Sequence, residues 1–130
     1  MINQARGVAY KAYCPYSKFR VGAVAKMLNP QTGKAQDFFG CNIENASYGL
    51  TICAERVAIF NGVSQGFTRL LSMAVSCLDA KKEDSARFKT PCGACRQVMQ
   101  EFAVDDRIHI DIDGVGSREL QELLPLGFKL

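Results

Sequence analysis

Residues 70–78, Leu70-Leu71-Ser72-Met73-Ala74-Val75-Ser76-Cys77-Leu78, form a nearly continuous apolar run. A strand apolar on both faces belongs at the centre of a sheet that is covered on both sides. Upstream, the pattern becomes helical from Cys53, with Val57, Ile59 and Phe60 apolar, and stops near Gly62. Before that, residues 42–52 are small and polar and predict an irregular loop. Residues 20–28 read as a strand, 29–33 (Asn-Pro-Gln-Thr-Gly) as a turn, and 35–41 as the second arm of an antiparallel hairpin. Residues 2–12 have helical composition, broken at Tyr13-Cys14-Pro15 because a residue before proline disfavours the α region.

Downstream of the central run comes a charged loop, 79–89. Pro91 then opens a helix running to about Phe102, proline being tolerated in a first turn. Residues 107–112 alternate as a strand does. Ser117 is placed to cap a last short helix that turns Leu120, Leu123 and Leu124 inward. The succession hairpin, helix, strand, helix, strand, helix predicts a single domain over residues 1–130. Its class is α/β, a three-layer α/β/α sandwich with a mixed sheet.

The charge balance narrows the partners. Sixteen basic and thirteen acidic side chains are scattered along the chain, and the only adjacent basic pair is Lys81-Lys82. No aromatic-plus-basic repeat surrounds that pair, so a solvated loop is expected rather than a nucleic-acid surface. No apolar stretch is long enough for a membrane span. Asn3, Gln4 and Arg6 stand where a secretory leader would need apolar residues, which predicts a cytoplasmic protein. In that compartment the six cysteines are expected to bind metal, react as thiols or pack as small apolar groups, not to form a disulfide framework.

Three cysteines stand apart. Cys92 and Cys95, in Pro91-Cys92-Gly93-Ala94-Cys95, share one face of a helical first turn, and Cys53 opens the other helix in Cys53-Ala54-Glu55-Arg56. Helix N-termini carry partial positive charge and favour the thiolate that a metal requires. Three thiolates leave a tetrahedral zinc one open position, whereas a structural site needs a fourth ligand from Cys14, Cys41 or Cys77. Cys77, inside the apolar run, is expected in the core, and His109, the only histidine, in a satisfied strand position. A redox dithiol would use Cys92 and Cys95 but explains neither Cys53 nor Glu55. Glu55 lies about 200° around the helix from Cys53, badly placed as a ligand but able to reach the open position as a free carboxylate. Arg56, three residues after Cys53, shares its helical face and can donate to thiolate sulfur. Arg96 faces another way and is expected to be solvated.

Cys53-Ala54-Glu55 with Pro91-Cys92-Gly93-Ala94-Cys95 resembles the zinc nucleoside deaminase signature in its three-cysteine form. The stretches 12–23 (Ala-Tyr-Cys-Pro-Tyr-Ser-Lys-Phe-Arg-Val-Gly-Ala) and 40–48 (Gly-Cys-Asn-Ile-Glu-Asn-Ala-Ser-Tyr) are similar to the small, homotetrameric cytidine deaminases in particular, as are Arg96-Gln97 and Leu123-Leu124-Pro125. The short N-terminal helix and Cys14 depart from that pattern without touching the proposed chemistry. The resemblance implies one zinc ion per chain held by Cys53, Cys92 and Cys95. It implies that Glu55 takes a proton from a zinc-activated water, then protonates N3 and, in a later transfer, the leaving amino group of cytidine or deoxycytidine, in pyrimidine salvage.

It further implies that Asn42 and Glu44 bind the ribose 3′-hydroxyl, that Phe19 stacks on the base, and that Ala46 and Ala54 join the substrate contacts. Tyr48 and Phe128 resemble residues lent to a neighbouring subunit's site, hence a homotetramer. Three rivals remain: another small-molecule deaminase on this scaffold such as a blasticidin S deaminase, a nucleic-acid-editing deaminase, and a zinc-stabilised module without catalysis. The first would differ in the loop 42–48, the second would show a basic channel, and the third would not need Glu55.

Overall fold

A computed structural model describes residues 1–130. The expected hairpin is present: β1 (Val21–Leu28) and β2 (Ala35–Cys41) pair antiparallel, Gly22 opposite Cys41 through Leu28 opposite Ala35. The apolar run becomes β3 (Arg69–Cys77), antiparallel to β1 and parallel to β4 (His109–Ile112). A last strand, β5 (Gly116–Glu119), completes a mixed five-stranded sheet in the order β2-β1-β3-β4-β5.

Strand alternation divides the core between the two faces of the sheet. Ala23, Ala25 and Met27 of β1, Met73 and Val75 of β3, and Ile110 and Ile112 of β4 point one way into the main core. They pack with Ala58 and Ile59 of helix α2 (Ala54–Val63) and with Cys95 and Met99 of helix α3 (Gly93–Phe102). Val24 and Ala74 point the other way, against Ala5 of helix α1 (Ile2–Ala9). The result is the expected three layers, with β3 buried on both faces.

Two glycines let the helices lie directly on the strands. A methyl group on Gly22 would meet the Ala5 carbonyl oxygen at 2.0 Å, so α1 rests on bare backbone. On Gly40 it would lie 2.4 Å from the Ala54 carbonyl oxygen and 2.4 Å from the Ala58 nitrogen. Gly40 therefore sets how closely the first turn of α2 approaches the sheet, and that turn carries Glu55 and Arg56.

Several boundaries differ from expectation. Helix α1 stops at Ala9, short of residue 12. Pro91 lies outside the helix, one residue before Cys92, the N-cap of α3. Ser117 caps nothing, because it sits in β5. The final turn, α4 (Leu120–Leu123), is capped by Glu119 and Glu122, each side chain accepting from the other residue's backbone N–H. The strand was not foreseen because Gly-Ser-Arg-Glu lacks the apolar alternation that marks one; its pairing with β4 is what makes it a strand. Cys77, expected in the core, is half-buried at the end of β3. No helix is long and apolar enough to cross a membrane.

Candidate metal centre

Cys53 is the N-cap of α2 and Cys92 the N-cap of α3, both in extended backbone (φ −72°, ψ 154° and φ −68°, ψ 168°). Neither side chain accepts a capping hydrogen bond, so both sulfurs are free for other work beside two positive helix ends. Cys95 follows within the first turn of α3 and is fully buried. Cys53 Sγ lies 3.9 Å from Cys92 Sγ, which lies 3.5 Å from Cys95 Sγ, and all three sulfurs fall within 4.8 Å of one another. Zinc–thiolate bonds of about 2.3 Å put tetrahedral sulfurs about 3.8 Å apart. The triad fits one zinc ion.

The surrounding charge fits as well. Three thiolates on Zn²⁺ leave a net negative centre, and Arg56 supplies the nearest positive charge, its Nη2 donating to Cys53 Sγ at 3.3 Å. Its Nε is buried without a protein partner. The neighbouring thiols and then Arg56 lower the Cys53 thiol well below its usual value, which favours the thiolate that a metal requires.

Glu55 is 4% exposed and lines a cavity of about 200 Å³ with Cys53, Cys92 and Phe19. Burial pushes its carboxyl up to about 7. Asn42, Ala54, Phe88, Thr90 and Cys77 also border this cavity. Phe88 and Thr90 were not singled out from the sequence. Their one signal was proximity, four and two residues before Cys92.

The aromatic wall is held by a clamp reaching across the chain. Asn42 donates from its amide to the Phe19 carbonyl at 2.8 Å and accepts from the Val21 N–H at 2.9 Å. Between them, the Arg20 N–H donates to Asp79 at 2.8 Å, and the Arg20 guanidinium donates to the same carboxylate at 2.7 and 3.0 Å. These bonds hold the Asp79 carboxyl down to about 2, so the clamp stays ionised to strongly acid pH. Beside them Lys18 takes φ 58° in the left-handed region, its N–H donating to the Cys14 carbonyl at 3.0 Å.

Glu44 occupies an adjoining hollow of about 350 Å³ with Tyr16, Ser17 and Tyr48, and Thr51 borders both spaces. The Ser17 hydroxyl donates to one Glu44 oxygen, and the Tyr16 and Ser17 N–H groups donate to the other at 3.0 and 3.1 Å. Led by the Ser17 hydroxyl, these bonds lower the Glu44 carboxyl below its usual range. Ala46, exposed in the same loop, and Phe128, exposed near the C-terminus, line neither space. Arg96 is not solvated as expected: it is half-buried, donating to the Pro91 carbonyl at 2.7 Å and the Leu123 carbonyl at 2.6 Å. It ties α4 to the turn that presents Cys92.

Residues 1–110 match the family described as the cytidine and deoxycytidylate deaminase zinc-binding region. The chain belongs to the cytidine deaminase family. A cytidine deaminase of Halalkalibacterium halodurans is 40% identical over 98% of this chain and 91% of its own length. One from Mycobacterium tuberculosis H37Rv is 41% identical over 98% and 90%. The crystal structure of cytidine deaminase from M. tuberculosis superposes with a TM-score of 0.80 at 37% identity, covering 100% of this chain and 95% of that one. That of Burkholderia pseudomallei gives 0.77 at 37% identity over 98% and 95%. The fold of this chain therefore agrees with the solved structures, and its cysteine triad with the zinc-binding region of the family.

Proposed function

We propose that this chain, holding one zinc ion, hydrolyses cytidine and deoxycytidine to uridine and deoxyuridine with release of ammonia. The observation that carries the reading is Glu55, a buried carboxyl that shares one cavity with Cys53 and Cys92 of the triad and pairs with none of the chain's cations. Zinc, when bound, supplies a polarised water for attack at C4 of the pyrimidine. Glu55 takes one proton of that water and gives it to N3, then takes the proton of the resulting C4 hydroxyl and gives it to the departing amino group; burial, which raises its carboxyl, suits it to hold each proton between transfers. Arg56 neutralises thiolate charge, and Phe19, fixed by Asn42 and Asp79, forms the wall on which the base stacks. Ala54 closes the cavity beside Glu55, and Ala46 belongs to the loop that follows the sugar.

Sugar recognition follows from unspent hydrogen-bonding capacity. Glu44 has three of its roughly four lone-pair sites occupied, leaving one for a ribose hydroxyl, and Asn42 retains one N–H. An ionised Glu44 there disfavours a 3′-phosphate, so free nucleosides are the substrates and polynucleotides are not. Such a role belongs to pyrimidine salvage in the cytoplasm. The purified zinc protein is expected to release ammonia and uridine one to one, and cytidine 3′-monophosphate to react at least about 100-fold less efficiently. Cytidine left intact would overturn the reading.

The clamp on Phe19 has its own consequence. Asp79→Ala is expected to raise KM for cytidine roughly tenfold, with kcat and zinc content little changed, because the ring loses its fixed position and the metal does not. An unchanged KM would remove Asp79 from this role.

Tyr48 and Phe128 are 77% and 67% exposed, large rings that a second copy can bury. We take them as contributions to neighbouring sites in a homotetramer. Light scattering is expected to give four times the chain mass of 14.3 kDa, and an active monomer would refute the composite site.

A further inference from the structure

A second hollow, of about 360 Å³, touches the nucleoside cavity at Cys77, which borders both. Its charged lining is Arg6, Lys81, Lys82 and Lys89 against a single carboxylate, Asp113. That carboxylate is spent. Arg6 grips it with Nε and Nη2, each at 2.7 Å, and the Ser76 hydroxyl donates to it at 2.7 Å. The chain's ion pairs are Arg6–Asp113, Arg20–Asp79, Arg107–Glu119 and Lys129–Asp106, so the three lysines have no carboxylate partner. Of the nearby loop acids, Asp79 is held by Arg20, Asp84 accepts from the Lys81 backbone N–H at 2.7 Å, and Glu83 is exposed and makes no ion pair; none of the three lines the hollow.

Lys89 is the unusual member. It is 5% exposed, and its ammonium makes one hydrogen bond, to the Lys82 carbonyl at 3.3 Å. An ammonium has three donors, so two are unspent in a group whose burial is costly unless it is paired. Lys81 and Lys82 are exposed and set their charges beside it.

We propose that this hollow binds a phosphoryl anion, as free phosphate or as a phosphate monoester. Three ammonium groups suit a dianion with several acceptor oxygens, and lysine binds phosphate as a point charge. A carboxylate ligand would want the guanidinium fork, which Arg6 has already given to Asp113. The hollow has room for an ester group beyond the phosphoryl oxygens. The site is separate from the metal triad, so its occupancy is read by binding and not by turnover.

The zinc protein, freed of phosphate, is titrated with inorganic phosphate by calorimetry and thermal melting, with chloride matching ionic strength. One saturable site per chain is expected, with a rise in Tm of roughly 4 °C at ten times the Kd. Lys89→Gln, and separately Lys81→Gln with Lys82→Gln, are each expected to weaken binding about tenfold or more. If Lys89→Gln does not fold, the exposed pair carries the test. Ribose 5-phosphate distinguishes the sources: tighter binding than inorganic phosphate assigns a monoester, and equal or weaker binding assigns the free anion. No saturation beyond chloride, or undiminished binding by the lysine variants that fold, overturns the proposal.

Discussion

Glu55→Gln is expected to lower turnover of cytidine by about 10⁴-fold while leaving zinc content unchanged. General acid–base steps contribute about 10²–10⁴-fold, and the upper end applies because this one carboxyl is asked to accept and deliver two protons in turn. The amide keeps the shape of the side chain, which is nearly fully buried in the first turn of α2, so the cavity is preserved. Stability should not fall either. The folded-state value of the carboxyl is raised to about 7 by burial, so ionised Glu55 costs the metal-free fold stability as pH rises from its unfolded value toward 7. The amide has no such cost, and the metal-free variant is expected to melt at the same or a higher temperature at pH 8. The two readouts belong together: lost turnover with retained zinc and undiminished stability. Wild-type turnover from the variant would refute the mechanism, and lost zinc would make Glu55 a positioning residue for the metal.

Cys95→Ala is expected to remove the metal. Its sulfur is the buried apex of the triad, 3.5 Å from Cys92 Sγ and packed within the main core. Partners one step outside a metal's ligands are worth about 10–100-fold in affinity, so loss of one ligand in three should cost more than about 100-fold. Measured by mass spectrometry of metals after dialysis, zinc should fall from one per chain to near zero, and activity with it. Cys14→Ala serves as the control. Its thiol is raised above its usual value, first by burial and then by Glu44, and it lies outside the triad. That variant is expected to keep both zinc and turnover. A Cys95→Ala protein that keeps full zinc would show that the remaining two sulfurs and some other group hold the ion.

The parts of this site that were legible in the sequence are those encoded within a single turn or a single strand. The spacing of Cys92 and Cys95 follows from one helical turn, as does the nearness of Cys53, Glu55 and Arg56 at the start of α2. The apolar run at 70–78 announced a central strand because burial on both faces suppresses alternation, and Asn-Pro-Gln-Thr-Gly announced the hairpin. The resemblance to cytidine deaminases carried the ligand set further, to one zinc and one proton shuttle.

What only the tertiary structure decided depends on contacts between distant residues. Asp79 meets the Arg20 backbone across 59 positions, and Arg96 meets the Leu123 carbonyl across 27; no local period encodes either. Strand β5 has no apolar pattern of its own and exists because β4 offers an open edge for pairing. Cys77 reads as core by composition, yet it ends its strand at the wall of a cavity. Phe88 and Thr90 reach the same cavity because Cys92, just beyond them, starts a helix beside the other sulfur-bearing helix. Local sequence sets the chemistry each segment can present, since propensity and periodicity act over a few residues. Which segments face one another is settled by the packing of helices on the sheet, down to the bare backbone of Gly22 and Gly40, where a single methyl group would hold the layers apart.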